Sequence, residues 1–307
     1  MDNLYAIIIH GGAGNGSIKL FDKLEANYEE FKNLRIRFKE SLDTCSNIGK
    51  YLLENGKLAV DAVEECIRYL EDNELFNAGI GAVKDEQNQI YHDACITEGK
   101  DFKWGAICMS QNIKNPISLV RALMENENRL ICGNGVNIIA KKYGDKRNIV
   151  FVDNSYFRTN FRDKLDEVLE EKVNFGTVGV VALDKYGNIC AGTSTGGLSK
   201  KPLGRIGDSP LIGISTIADN NYCGISCTGK GEEFIRHNVA SNIKHRMEYL
   251  NESLKDAIDN TLNKLNKGTG GIIGLDKNGN VYSNFNTKRM YRSYYNSKED
   301  KIVSEIW

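Results

Sequence analysis

The sequence is poor in the features that advertise a macromolecular partner. Lys and Arg number 40 against 41 Asp and Glu, for a net charge of −1. That leaves no basic footprint for nucleic acid and no polybasic face for a membrane. No stretch nears the roughly 20 consecutive apolar residues that span a bilayer. Residues 1–10 carry no basic n-region, and their apolar run stops at a glycine pair, which predicts no signal peptide. The 8 cysteines (45, 66, 95, 108, 132, 190, 223 and 227) form no CxxC pair, and Cys223 and Cys227 stand too isolated for a zinc site. They read as buried free thiols of a reducing compartment, so the cytoplasm is the expected location. Low-complexity tracts and array repeats are missing too. What remains is 307 residues, 41% apolar and 26% charged. Such a chain can build one large core or two ordinary ones.

Hydrophobic spacing predicts the elements. Residues 5–10 form a nearly continuous apolar run, as in a strand covered on both faces, and empty into the loop Gly11-Gly12-Ala13-Gly14-Asn15-Gly16. Leu24, Tyr28, Phe31, Phe38, Leu42, Cys45, Ile48 and Leu52 recur at threes and fours, predicting one long helix stopped by Asn55-Gly56. A second helix shows Val60, Val63, Ile67 and Leu70 on one face. Residues 81–96 alternate like a hairpin turning near Gln87-Asn88, 104–109 form a strand, and Asn115-Pro116 opens a helix. Residues 142–176 are the plausible linker. Strands are predicted at 178–183, 189–194, 211–217 and 222–228, helices at 232–250 and 253–265, and a hairpin at 270–275 and 281–286. The turns Leu183-Asp184-Lys185-Tyr186-Gly187-Asn188 and Leu275-Asp276-Lys277-Asn278-Gly279-Asn280 echo each other. Strands and helices come in runs, which favours mixed sheets with helices outside them over a doubly wound parallel sheet.

The first glycine loop fails both the dinucleotide fingerprint and the P-loop pattern and reads as a tight turn bordering a pocket. Chemistry points instead to Gly176-Thr177-Val178-Gly179. Read alone, Thr177 is a β-branched residue starting a strand. Its company suggests more. A hydroxyl can attack its own preceding carbonyl only if the peptide leaves the usual wells, which glycine tolerates. The freed α-amine has an unperturbed pKa of about 7.7–8.0 and can deprotonate the adjacent hydroxyl near neutral pH. None of the 4 histidines (10, 92, 237 and 245) is near the motif, and the mechanism requires none. If Lys185-Tyr186-Gly187 is a three-residue turn, Thr195 lies opposite Thr177; a two-residue turn puts Gly196 there. Either register brings the cluster at 193–196 beside the hydroxyl.

Two further motifs stay open on spacing alone. Arg205 and Asp208, in Gly204-Arg205-Ile206-Gly207-Asp208-Ser209-Pro210, make either a surface ion pair or a clamp, the guanidinium forking onto a carboxylate and Asp208 taking an ammonium. Cys227-Thr228-Gly229-Lys230-Gly231-Glu232 joins a strand to a helix and is either an oxyanion hole or an ordinary loop.

Taken together the motifs resemble the plant-type asparaginase / isoaspartyl peptidase family of N-terminal-nucleophile hydrolases. The resemblance rests on Ile9-His10-Gly11-Gly12-Ala13-Gly14, Leu75-Phe76-Asn77-Ala78-Gly79-Ile80-Gly81-Ala82-Val83, Gly176-Thr177-Val178-Gly179 and Thr193-Ser194-Thr195-Gly196-Gly197. It continues through the Arg205–Asp208 motif, Ser226-Cys227-Thr228-Gly229, and Phe285-Asn286-Thr287 with Met290-Tyr291-Arg292, in family order over nearly the whole chain. It implies an α+β fold, the four-layer αββα sandwich of the N-terminal-nucleophile (Ntn) hydrolases. One domain, 1–307, would be processed after Gly176 into an α subunit (1–176) and a β subunit (177–307).

The same resemblance implies hydrolysis of L-asparagine and β-aspartyl dipeptides to L-aspartate, with no cofactor required for the chemistry. Thr177 would be the nucleophile, Thr195 its neighbour, and Thr228 and Gly229 the oxyanion donors. Arg205 and Asp208 would bind the substrate, with Asn77 beside the nucleophile. A structural sodium ion would be held by the backbone carbonyls of Leu70, Glu71, Asn73, Phe76, Ala78 and Ile80. The expected assembly is a dimer of αβ units. Lys288-Arg289 departs from the usual Glu-Gly of the family, which bears on substrate access or subunit contacts. Glycosylasparaginase is the rival within the fold, but usually carries Asp-Thr or Asp-Ser context where this chain has Gly176-Thr177. A taspase-type endopeptidase and an uncleaved, non-enzymatic protein are the further alternatives.

Overall fold

The computed structural model describes residues 4–168 and 176–307. Its strands are β1 (Ala6–Gly14), β2 (His92–Glu98), β3 (Trp104–Ser110), β4 (Leu130–Cys132), β5 (Val178–Leu183) and β6 (Ile189–Thr195). The series continues with β7 (Thr216–Ala218), β8 (Cys223–Gly229), β9 (Gly270–Asp276), β10 (Val281–Phe285), β11 (Arg289–Asn296) and β12 (Lys301–Glu305). The helices are α1 (Ile18–Asn27), α2 (Leu34–Glu54), α3 (Ala59–Glu71), α4 (Pro116–Leu123) and α5 (Asn134–Arg147). After these come α6 (Asn160–Val168), α7 (Gly231–His237), α8 (Val239–Leu250) and α9 (Leu254–Leu262).

Two sheets organise the molecule. The larger has the order β12-β11-β1-β5-β6-β2-β3-β4 and the smaller β10-β9-β8-β7. Among the described residues only the β3–β4 ladder is parallel. This is the mixed, helix-flanked α/β arrangement that the runs of elements favoured.

Among the described residues, apolar side chains fill three large zones and a small one around Ala82, Ile90 and Phe157. Helices α2, α3 and α4 pack on the large sheet, where Phe38, Leu42, Val63, Ile67 and Val120 meet Ile7, Ile9 and Val180. The opposite side of β1, β5 and β6 faces the small sheet through Ile8, Val181, Ile189 and Ile273. Beyond the small sheet, α8 and α9 bury Ile243 and Ile258 against Ile225 and Ile272. Alternate residues of β1 and β5 therefore enter different cores, which is why both strands read as continuous apolar runs.

Several expectations need correction. The glycines 11–14 are not a loop: they continue β1 along β11, with a bulge between His10 and Gly12. The long helix is broken, because Asn27 ends α1, a 3-10 turn spans Glu29–Phe31, and Asn33 adopts φ 54 before α2 begins. The 232–250 helix is likewise split at Asn238, φ 48. The 81–96 hairpin turns where expected, but its ladder shrinks to one Lys84–Ile90 bridge, and β2 pairs with β3 and β6. Only Thr216–Ala218 is extended in the 211–217 region. Strands β11 and β12 were not foreseen. The 142–176 linker is mostly structured where it is described: α5 runs into it, a 3-10 turn covers Asn154–Phe157, and α6 covers Asn160–Val168. Its remaining part, 169–175, lies outside the described residues.

Helix α6 is well anchored. Phe161 packs edge-on against Phe31 at 5.4 Å with Arg37 over its ring, Leu165 is buried, and Lys84 is ion-paired to Asp163.

Candidate active site

The β5–β6 hairpin closes with the three-residue turn. Val178 pairs with Ser194 and Leu183 with Ile189, so the register carries Thr177 to Thr195. The Thr177 hydroxyl donates to Thr195 Oγ1 at 3.1 Å, and Thr195 Oγ1 also accepts from the Gly197 N–H at 2.9 Å. Both threonines are buried. Thr228, near the end of β8, aims its hydroxyl at the other side of the same peptide: a Cβ on Gly176 would lie 2.5 Å from Thr228 Oγ1. Gly12 approaches from β1, and its missing side chain leaves room for Gly176, since a Cβ there would fall 2.6 Å from the Gly176 carbonyl oxygen. Gly176 and Thr177 thus lie against β1, β6 and β8.

A narrow cavity of about 20 Å³ opens on this peptide, lined by Gly176, Thr177, Thr195, Arg205, Asp208 and Gly229 among others. Five residues singled out from four separate motifs therefore meet at Gly176. Burial pushes the Asp208 carboxyl up to about 7, and its Oδ2 has no hydrogen-bond partner. Arg205 departs from the expected fork. Its Nε and Nη2 hold the Glu232 carboxylate at 3.0 and 3.1 Å, which leaves Nη1 as the nitrogen nearest Gly197 and Gly207 on the cavity wall. Glu232, at the start of α7, was not anticipated; a carboxylate following a glycine pair looks like an ordinary first-turn helix residue.

Asn77 lies next to this site, against the turn that follows Thr195. Its Nδ2 donates to the Gly197 carbonyl at 2.7 Å and its Oδ1 accepts from the Val83 N–H at 3.0 Å. Both ends of the amide are engaged, so Asn77 fixes the turn after Thr195 rather than facing the cavity. Lys201 supports the same turn, its buried ammonium donating to the Gly196 carbonyl at 2.7 Å, and burial lowers its pKa.

The 70–80 loop folds tightly over its own carbonyls. A Cβ on Gly79 would sit 2.1 Å from the Glu71 oxygen, and one on Gly81 would sit 2.0 Å from that of Phe76. The Glu71 side chain is buried, accepts from the Ile117 N–H and the Ser194 hydroxyl, and is pushed up to about 8 by desolvation. Of the two departing residues Lys288 and Arg289, Arg289 is fully buried, away from the cavity lining. It donates to the Tyr291 hydroxyl at 3.1 Å and lies over the Phe21 ring.

The histidine expectation is overturned. His10 lies opposite Gly179 in the β1–β5 ladder, and its Nδ1 is 3.0 Å from the Thr177 carbonyl oxygen. Distance along the chain hid this contact, because 167 residues separate the two partners.

Comparisons with known proteins give the family. A family model described as asparaginase matches residues 3–305. The chain belongs to the asparaginase family. That makes it a hydrolase, and the N-terminal threonine mechanism fits the family. An isoaspartyl peptidase of Escherichia coli is 38% identical, with 94% of this chain and 92% of that protein covered. An isoaspartyl peptidase/L-asparaginase of Xenopus laevis is 35% identical, with 98% and 94% covered. A plant-type L-asparaginase of Pyrobaculum calidifontis is 31% identical, with 98% and 99% covered.

Proposed function

We propose that the protein cuts itself between Gly176 and Thr177 and then hydrolyses L-asparagine and β-aspartyl dipeptides to L-aspartate. The observation that carries this is the Thr177–Thr195 hydroxyl pair at 3.1 Å on the wall that also presents Arg205 and Asp208. In maturation, Thr177 Oγ gives up its proton and attacks the Gly176 carbonyl, and the peptide C–N bond breaks as its nitrogen takes a proton. That frees the α-amine and leaves Gly176 as an ester on Oγ, which water hydrolyses to the free hydroxyl and the Gly176 carboxylate. In turnover, the amine takes the hydroxyl proton as Oγ attacks the substrate's side-chain carbonyl. Thr228 and Gly229 stabilise the oxyanion. The amine returns the proton to the departing ammonia or amino acid, and water releases aspartate from the β-aspartyl ester. Asp208 meets the substrate ammonium and Arg205 Nη1 its α-carboxylate.

The rest of the reading follows the same logic. The three large core zones support a four-layer αββα sandwich, with 1–176 and 177–307 as the subunits and a dimer of such αβ units as the assembly. The carbonyl cradle behind Gly79 and Gly81 suits a sodium ion held by Leu70, Glu71, Asn73, Phe76, Ala78 and Ile80, since a hard cation favours oxygen donors. Such an ion would stiffen the loop that carries Asn77. Eight free thiols fit a reducing cytoplasm, and no helix among the described residues is long and apolar enough to cross a membrane.

Denaturing electrophoresis is expected to show two fragments, the smaller beginning Thr-Val-Gly-Val-Val. Thr177→Ala should give one band and no activity towards asparagine, a β-aspartyl dipeptide or glycosylated asparagine. An active Thr177→Ala protein overturns the reading.

A further inference from the structure

The Thr177 carbonyl is the acceptor at the end of a buried hydrogen-bond chain. A carbonyl oxygen can only accept, so His10 Nδ1 carries the proton at its 3.0 Å contact. Burial holds the imidazole neutral, its pKa lowered to about 3. Nε2 must then accept, and the Ser226 hydroxyl 2.9 Å away is its donor. The Ser226 oxygen is free to accept from Thr193 Oγ1 at 2.8 Å, and the Thr193 hydroxyl is bonded in turn to that of Thr216. All five residues are buried. One direction of donation satisfies every link: Thr216 to Thr193, Thr193 to Ser226, Ser226 to His10, and His10 to Thr177. Bonds aligned head to tail polarise and strengthen one another.

Gly179 is part of this arrangement. A Cβ at that position would fall 2.1 Å from Ser226 Oγ and 2.3 Å from His10 Nε2. The glycine two residues after the threonine is the gap through which the His10–Ser226 bond passes.

We infer that His10 is a positioning residue for the nucleophile, pinning the Thr177 carbonyl so that hydroxyl and α-amine keep their attack geometry once Thr177 becomes a chain end. The inference rests on the reading of Thr177 as nucleophile. Before the cut, the Gly176–Thr177 peptide bond limits how the threonine can turn. Afterwards that restraint is gone, and first residues of a chain fray unless tied down. Strand β5 begins only at Val178. Thr177 is tied by the hydroxyl contact to Thr195 and the carbonyl contact to His10. A hydroxyl that must attack cannot itself be the anchor, which leaves the carbonyl.

Two substitutions separate positioning from bulk. Asn carries an amide N–H where His10 has Nδ1, whereas Gln reaches the Nε2 position and leaves the Thr177 carbonyl without a donor. Each loses the ring, so both should lower the melting temperature alike. With kcat expressed per Thr177 N-terminus, His10→Gln is expected to lose about 10- to 100-fold with KM within about threefold, while His10→Asn stays within about threefold of the parent. Equal kcat for the two, or a loss confined to KM, overturns the inference. Should neither variant mature, Ser226→Ala serves instead. It removes the donor that fixes the imidazole tautomer, and the expected loss is about 3- to 10-fold in kcat alone. A Ser226→Ala enzyme with parental kcat also overturns it. Thr177→Ala, assayed beside them, keeps the two readings apart: activity in that variant removes the nucleophile, whereas an inactive Thr177→Ala with indistinguishable His10 variants removes only the positioning role.

Discussion

Asp208 links one side chain to the pH behaviour of the whole site. Burial raises its carboxyl to about 7, so below that pH it is neutral and cannot balance an ammonium group. Inhibition by L-aspartate should therefore weaken about tenfold for each pH unit below 7, while Asp208→Asn should bind weakly with a flat profile across pH 5–8. A parental Ki that does not change between pH 5 and 8 removes Asp208 from ammonium recognition. Stability runs the other way. A carboxyl whose pKa is raised on folding favours the folded state most below its unfolded value, and that contribution is lost as pH rises through 7. Asp208→Asn is thus expected to melt higher than the parent at pH 8, with little gain at pH 4. The residue serves binding at the expense of the fold.

At the scale of elements, the echoed turns show where local sequence stops being sufficient. Asp184 accepts from the Tyr186 and Asn188 N–H groups, and Asp276 accepts from those of Asn278 and Asn280, all at 2.9 Å. The two turns are twins by sequence and by local bonding. Asp184, however, also caps α3 by accepting from the Ala59 N–H at 3.0 Å. Replacing either aspartate by Ala should cost about 1–3 kcal/mol, and Asp184 should cost about 0.5–2 kcal/mol more because a helix N-terminus loses its acceptor. Urea unfolding in a Thr177→Ala background measures both; equal losses would show that the cap contributes nothing. The same contrast explains what was legible. The β5–β6 register, α4 behind Asn115-Pro116, and the hairpin β9–β10 follow from contacts close in sequence. The breaks at Asn33 and Asn238 did not register, because apolar spacing continued across them. His10 was hidden more deeply still. Its role depends on β1 lying beside β5, a pairing that no local pattern encodes, and the Glu232 contact to Arg205 depends on α7 docking in the same way. The ordered motifs made the meeting of Thr177, Thr195, Arg205, Asp208 and Gly229 foreseeable, while the bonds of Asn77 to Gly197 and Val83 were not.

For the whole molecule, the proposed cut falls within an interleaved sheet. Strand β1 belongs to the first piece but lies between β11 and β5 of the second, and β6 of the second pairs with β2 of the first. The pieces should therefore remain together in native conditions and part only on unfolding. Refolding of denatured mature enzyme then becomes a two-body reaction, slowing about tenfold on tenfold dilution, whereas the Thr177→Ala chain should refold at a rate independent of concentration. Recovered intrinsic fluorescence after dilution from urea tests this, and concentration-independent refolding of the cut enzyme would mean that the strands do not interleave. The neighbours of β1 also carry a timetable. Strand β11 is made long after β1, so the bed in which Gly12 meets Gly176 is finished only once β11 has left the ribosome. A growing chain that still lacks β11 consequently has no complete blade with which to cut itself, and maturation waits for that strand without any separate inhibitor to hold it back.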